Sequence, residues 1–152
     1  MTEIERKFRV EHLPHGRSEP VRVEQAYIAL DGSVEVRVRR RDGACSLTVK
    51  GGAGIERSEI ELPLGDSEVE CLWSLAAGRT IDKRRSTLPI GEHTAEIDEY
   101  DGRLRGLSVV EVEFESPAAA DDFDPPDWFG AEITGDDRWS NARLATNGCP
   151  PD

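Results

Sequence analysis

Side chains alternate between apolar and charged along most of this chain, and that period of two constrains its fold more than any other feature. In extended backbone, successive side chains point to opposite faces. The opening stretch EIERKFRV therefore puts Glu3, Glu5, Lys7 and Arg9 on one face and Ile4, Arg6, Phe8 and Val10 on the other. The same pattern predicts strands near 2–10, 20–30, 33–41, 44–51, 55–62, 80–89, 92–101 and 107–115. Turn residues fall between them: Asp31-Gly32, Asp42-Gly43, Gly51 to Gly54, Gly91 and Asp101-Gly102. Eight strands with short connections predict an antiparallel barrel or sandwich.

Two stretches depart from this period. DSEVECLWSLAAG puts Val69, Leu72, Trp73 and Ala76 on one helical face, with Asp66 or Ser67 as N-cap and Gly78 as the stop. DDRWSNARLA predicts a short closing helix capped by Asp136 or Asp137. The segment between the last strand and that helix, PAAADDFDPPDW, reads as a connector. No repeat or linker interrupts the chain, so one domain over 1–152 is expected.

Charge narrows the function. A net charge of −12 disfavours nucleic acid, whose phosphates need a basic surface. No apolar run spans a membrane and no apolar leader core opens the chain. Cys45, Cys71 and Cys149 form no CxxC pair, the usage of free thiols in a reducing cytoplasm. Nearly all of the nineteen basic residues are arginine; lysine is kept for Lys7, Lys50 and Lys83, all at strand positions. An ammonium is a compact, rotatable charge that a planar guanidinium does not imitate.

The charged faces repeat strand by strand. They carry Glu35, Arg37, Arg39 and Arg41; then Lys50; Arg57, Glu59 and Glu61; Lys83 and Arg85; Glu96 and Asp98; and Glu111, Glu113 and Glu115. Parity does not say which face is inside. Periodicity alone favours a sandwich with its charged faces in water. The alternative is a closed barrel with a charged lumen and its apolar exterior partly covered by helices. Such a lumen needs a highly charged guest. Arginine and lysine cradle phosphate oxygens. Carboxylates two apart, such as Glu3/Glu5 and Glu111/Glu113, suit hard divalent cations. Together they describe a polyphosphate site without a Walker motif. His12, His15 and His93 are scattered at strand ends and turns and are poor candidates for a catalytic base.

The order of these motifs resembles the CYTH superfamily, the triphosphate tunnel metalloenzymes. Glu3-x-Glu5-x-Lys7 is similar to its ExExK signature. Arg37-x-Arg39, Lys50-Gly51, Arg57-x-Glu59-x-Glu61, Lys83-x-Arg85, Asp98 and Glu111-x-Glu113 follow in the family's order. EITGDDRWSNARLA resembles the family's closing segment, with Trp139 where tyrosine is usual. The resemblance implies an eight-stranded antiparallel closed β-barrel, a tunnel with helices packed outside. It implies a phosphate cradle of Lys7, Arg37, Arg39, Lys50, Arg57, Lys83 and Arg85. It implies Glu3, Glu5, Glu111 and Glu113 as ligands of Mg²⁺ or Mn²⁺, with Glu59 and Glu61 as supporting acidic lining. Glu111, Asp98 and Lys83 are the implied catalytic group, and Tyr27 matches a family tyrosine near the tunnel mouth. Arg9, Arg41, Glu35, Glu96 and Glu115 read as rim or solvated residues.

The activity implied is hydrolysis of a triphosphate, inorganic tripolyphosphate first, by in-line attack of a metal-activated water. Few aromatics are available to stack on a base, which favours that substrate over an organic triphosphate. Adenylate cyclase, thiamine triphosphatase and a non-catalytic polyphosphate-binding module are the alternatives. The expected partner is a small-molecule triphosphate in the cytoplasm, with no nucleic acid and no membrane; self-association as a homodimer is the remaining option.

Overall fold

The computed structural model describes residues 3–51 and 58–151. All eight expected strands are present: β1 (Ile4–Arg9), β2 (Val21–Asp31), β3 (Val34–Arg41), β4 (Ala44–Gly51), β5 (Ser58–Leu64), β6 (Thr80–Ile90), β7 (His93–Tyr100) and β8 (Ser108–Phe114). They join in one ladder, in the order β1-β8-β7-β6-β2-β3-β4-β5, and each pairing with a recorded register is antiparallel. The two-residue connection at Asp42-Gly43 has φ of 54° and 78°, the left-handed backbone that a tight hairpin turn requires. The part of the expected fifth strand at 55–57 lies outside the described residues.

Helices are few and short. In α1 (Asp66–Ser74) the N-cap is Gly65, not the expected Asp66 or Ser67, and the Glu68 carboxylate accepts from the Gly65 N–H. The expected connector contains α2 (Pro117–Asp122). Ser116 caps it by accepting from the Ala119 N–H at 3.0 Å, and Pro117 fixes its first turn. The closing helix α3 (Asn141–Asn147) starts later than expected. Its cap is Ser140, whose Oγ accepts from the Arg143 N–H at 3.2 Å, and a 3-10 turn, Asp137–Trp139, precedes it.

The chain divides into two compact units: Met1–Val21 with Lys83–Asp137, and Arg22–Asp82 with Arg138–Asp152. In the first, the apolar faces of β1, β7 and β8 form a core of Phe8, Val10, Ala95, Ile97, Val110, Val112 and Phe114. Ala120 of α2, Phe123, Trp128 and Phe129 close over it. His93 packs edge-on against Phe114 and Phe123 at 5.0 and 5.7 Å, an aromatic role rather than a proton-transfer one. In the second unit, α1 packs on β3, and the Arg40 guanidinium lies 4.4 Å over the Trp73 ring. Val23, Ala26, Tyr27, Val38, Val69, Trp139 and Leu144 are buried there, while Ile60 and Leu62 on the apolar face of β5 stay 57% and 50% exposed.

Closure of the sheet into a barrel is not drawn by this ladder, whose ends are β1 and β5. The outer edge of β1 is instead occupied by the tail of its own unit. Gly130 N–H donates to Arg9 O at 2.7 Å, Arg9 N–H to Ala131 O at 2.9 Å, and Ile133 N–H to Lys7 O at 2.8 Å. The Lys7 N–H completes the strip by donating to Thr134 Oγ1 at 2.9 Å. Glycine is required at 130, because a Cβ there would stand 2.8 Å from the Arg9 carbonyl oxygen. Among the described residues no helix is long and apolar enough to cross a membrane. The three cysteines are free thiols.

Candidate active site

Strand register decides which charges meet. In the first unit, β1 pairs with β8 so that Glu5 stands opposite Glu113 and Lys7 opposite Glu111. On β8's other side, β7 brings Glu96 opposite Glu111 and Asp98 opposite Val109. β6 in turn sets Arg85 opposite Asp98 and Lys83 opposite Tyr100. The expected motifs of this unit therefore share one face of one ladder, with Glu3 just ahead of β1. Both main-chain groups of Lys7 bond outward to the tail. Lys7 and Glu111 are thus a non-hydrogen-bonded pair, the kind whose side chains lie closest. The Lys7 ammonium is 3.4 Å from Glu111 Oε1.

The deepest part of that face is ionic. Lys83 and Asp98 are only 1% and 2% exposed, so this part of the charged face is shielded from water. Lys83 Nζ donates to Asp98 Oδ2 at 2.9 Å. Arg85 donates to both Asp98 oxygens, from Nε at 2.7 Å and Nη2 at 2.9 Å, and its Nη1 reaches Glu96 Oε2 at 2.8 Å. Glu96, expected at the rim, is thus part of the network: the Arg85 fork is long enough to bind two carboxylates at once. Burial alone would push the Asp98 carboxyl up; the Lys83 charge and the Arg85 bonds overrule it and hold it at about 2. Burial pulls the Lys83 ammonium down to about 8, with Asp98 opposing and Arg85 reinforcing the fall. Asp98, expected as a catalytic group, has both oxygens occupied by the two bases.

Acids crowd the neighbouring rows. Although much of Glu5 is open to solvent, its carboxyl is pushed up to about 7. Partial desolvation contributes most, then the charge of Glu111; Glu3 and Glu113 add to the rise and Lys7 opposes it. The Glu113 carboxyl is raised as well, by desolvation first and then by Glu3, Glu96 and Glu111. Among the described residues no group of three or more His, Cys, Asp or Glu side chains is gathered into a finished metal site. The donor chemistry nevertheless fits a hard divalent cation: carboxylates that raise one another's pKa are what such a cation relieves. An open cleft of about 470 Å³, lined by Glu92, His93, Thr94, Glu96, Glu113, Phe114, Glu115 and Ala119, borders these acids.

The second unit holds the other expected cations. β2, β3 and β4 align Gln25, Arg39 and Ser46 in one row and Tyr27, Arg37 and Thr48 in the next. Lys50 stands opposite Glu35 on one side and Glu59 on the other, and Glu61 opposite Thr48. Glu35, also expected at the rim, lies 3.9 Å from the Arg37 guanidinium. Arg57, the remaining expected phosphate ligand, lies outside the described residues. Arg39 is held by a residue that sequence reasoning passed over. Gln25 is fully buried, and its Oε1 accepts from Arg39 Nε at 3.0 Å and Nη2 at 2.8 Å. Its parity, two before Tyr27 on a strand facing the arginines, was the available signal; a neutral side chain among so many charges did not stand out. Arg39 and Arg41 line an open cleft of about 530 Å³ with Ala44, Cys45, Ser46, Glu61 and Pro63.

Known proteins resemble this chain along nearly its whole length. Residues 1–133 match the family model described as the CYTH domain. An inorganic triphosphatase from Nitrosomonas europaea is 40% identical over 148 residues, covering 95% of this chain and 97% of that protein. An inorganic triphosphatase from Acetivibrio thermocellus is 38% identical over 149 residues, covering 95% and 94%. The crystal structure of an inorganic triphosphatase matches with a TM-score of 0.81 at 36% identity, covering 100% of this chain and 98% of that one.

Proposed function

The chain belongs to the CYTH domain family, and from that premise we propose that it is a metal-dependent triphosphatase acting on inorganic tripolyphosphate. The observation that carries the reading is the register of the first unit, where ExExK and Glu111-x-Glu113 face one another beside the Lys83–Asp98–Arg85 network. Triphosphatase relatives that cover 95% of the chain support it. One CYTH domain over 1–152, its eight strands closed into a tunnel and working in the cytoplasm, is part of the proposal.

Each group has a task in that reading. Glu3, Glu5, Glu111 and Glu113 hold the divalent cation, Mg²⁺ or Mn²⁺. When bound, such a cation supplies Lewis acidity and cancels phosphate charge. Lys7, Lys83 and Arg85 in the first unit, and Arg37, Arg39, Arg57 and Lys50 in the second, bind phosphate oxygens. Glu59 and Glu61 complete the acidic lining. Water attacks the terminal phosphorus in line, the bond to the bridging oxygen breaks, and phosphate and diphosphate leave. Glu111, beside Lys7, is the carboxylate that takes the water's proton. Asp98 orients Lys83 and Arg85, whose charges stabilise the departing diphosphate.

The test is a direct comparison of products. With Mg²⁺ or Mn²⁺ the protein is expected to release phosphate from inorganic triphosphate and to form no cyclic AMP from ATP. Cyclic AMP as the main product, or tight binding of triphosphate without turnover, overturns the hydrolase reading.

A further inference from the structure

The second unit contains a buried polar relay that the triphosphatase reading does not use. Gln25 is 0% exposed and sits directly across from Arg39, as Tyr27 does from Arg37. Both ends of the amide are engaged. Its Oε1 receives two N–H groups from one edge of the Arg39 guanidinium, at 3.0 and 2.8 Å, and its Nε2 donates to the Tyr27 hydroxyl at 2.9 Å. Only one orientation of the amide satisfies this pattern, because flipping it would turn NH₂ toward a group that is itself only a donor. Tyr27 is buried too, and it stands directly across from Arg37. Burial raises that phenol to about 12, ahead of the influence of the neighbouring arginines, so it stays a neutral hydroxyl at working pH. The relay thus joins the Arg39 guanidinium to Tyr27, in the row of Arg37, through uncharged groups.

A carboxylate at position 25 could make the same two bonds to Arg39. It would also cancel the guanidinium charge, and a cancelled charge is a poor ligand for phosphate. The carboxamide orients the fork and leaves its charge in place. We propose that Gln25 is a positioning residue that, with Tyr27, holds the Arg39 guanidinium in place for a phosphate group of the substrate without neutralising it. This inference rests on the triphosphatase reading and specifies how one side of that site grips its anion.

The experiment measures KM and kcat for inorganic triphosphate with Mg²⁺ in wild type, Gln25→Glu, Gln25→Met, Arg39→Ala and the double variant Gln25→Glu/Arg39→Ala, each with its melting temperature. Loss of one charge-assisted contact corresponds to a rise in KM of about tenfold or more. Both Gln25 variants are expected to raise KM on that scale while kcat stays within about threefold. Gln25→Glu is expected to be the worse of the two, since it cancels the charge that grips phosphate, whereas Gln25→Met leaves that charge and loses only its orientation. In the Arg39→Ala background Gln25→Glu should add nothing, because its effect runs through that guanidinium. Wild-type KM in Gln25→Glu, a milder effect from the glutamate than from the methionine, or an undiminished effect in the Arg39→Ala background would each overturn the inference. If neither single variant folds, Gln25 is a core element and the inference falls. Failure of the wild type to release phosphate sinks the triphosphatase reading itself, a result distinct from all of these.

Discussion

The two units hold their cations in opposite ways. In the first, Lys83 and Arg85 are clasped by carboxylates, Asp98 and Glu96, at 2.7–2.9 Å. In the second, Gln25 and Tyr27 are neutral, and Glu35 stands off the Arg37 guanidinium at 3.9 Å. The difference has consequences. A clasp of charges is nearly neutral, is sensitive to pH, and needs another charged species to release its acids from its bases. A carboxamide bonded to a guanidinium carries no charge and does not titrate. The first unit is therefore suited to metal-dependent chemistry and the second to constant anion recognition.

The largest expected effect breaks the first unit alone. Glu113→Gln keeps the shape of the side chain and removes one ligand charge from the row it shares with Glu5. Loss of even an outer partner of a metal site costs 10–100-fold, so loss of a direct ligand should cost at least about 100-fold in kcat. The melting temperature should change little, because Glu113 is exposed. Chelation with EDTA should abolish phosphate release, and readdition of Mg²⁺ or Mn²⁺ should restore it. Full turnover in EDTA would remove the metal from the mechanism and with it the contrast between the units.

Stability should show the same asymmetry. Asp98→Asn leaves Lys83 and Arg85 without their shared counter-charge. Removing one partner of a buried pair costs about 3–5 kcal/mol, and deprotonation of Lys83 relieves part of it, so about 3 kcal/mol is expected. That corresponds to a fall of about 6–12 °C in the melting temperature. The sign with pH follows from the Asp98 carboxyl being held at about 2 against an ordinary 3.8. Its contribution is complete above the ordinary value and is lost as pH falls through the lower one. Wild type and variant should therefore converge in acid. A variant as stable as wild type at neutral pH would mean the clasp is no more than a surface pair.

Cation binding gives the next effect. The Glu5 carboxyl, raised to about 7, must lose its proton before it can hold a metal. Titration of Mg²⁺ or Mn²⁺ by calorimetry should show affinity rising from pH 5 to about 7 and levelling above it, with proton release below that point. The stability of the metal-free protein should follow the reverse trend. A raised carboxyl stabilises fully below its ordinary 4.5, and that contribution is lost as pH rises through about 7. Pre-binding metal should abolish the loss. The Gln25→Met variant should leave these pH profiles unchanged, since nothing in its relay titrates in that range. A shifted profile in such a variant would couple the two units and end the division of labour.

Much of this was legible in the sequence, for a physical reason. Period-two patterning is a backbone property, so Glu5, Lys7, Lys83, Arg85, Glu111 and Glu113 could be put on one type of face before their partners were known. Pairing was not legible, because it depends on register between strands distant in sequence. That is why Glu96 was read as a rim or solvated residue although it accepts from Arg85, and why the bonds of Lys83 and Arg85 to Asp98 could not be read beforehand. Gln25 was missed because charge drew attention to arginines rather than to what holds them. α2 was missed because prolines and aspartates dominate its stretch; Ser116-Pro117, a cap followed by a first-turn proline, was the cue.

The smallest effect tests the boundary between charged and apolar faces. Arg6 has the opposite parity to Glu5 and Lys7. It forms a fork with Glu132, Nε to Oε2 at 2.9 Å and Nη2 to Oε1 at 2.8 Å, and its Nη1 donates to the carbonyls of Ala120 and Phe123. Glu132 also accepts from Thr134, whose hydroxyl oxygen receives the Lys7 N–H. Arg6 thus fastens the tail that borders β1, on the side of the strand away from the chemistry. Exposed pairs contribute up to about 1 kcal/mol, and the two part-buried main-chain bonds bring the expected loss in Arg6→Gln to about 1–2 kcal/mol. A fall of a few degrees in melting temperature should accompany kcat and KM within about twofold of wild type, since the ladder to β8 still sets the strand's register. If kcat collapses while the melting temperature holds, the outer face participates in catalysis and the parity division that organises both units is wrong.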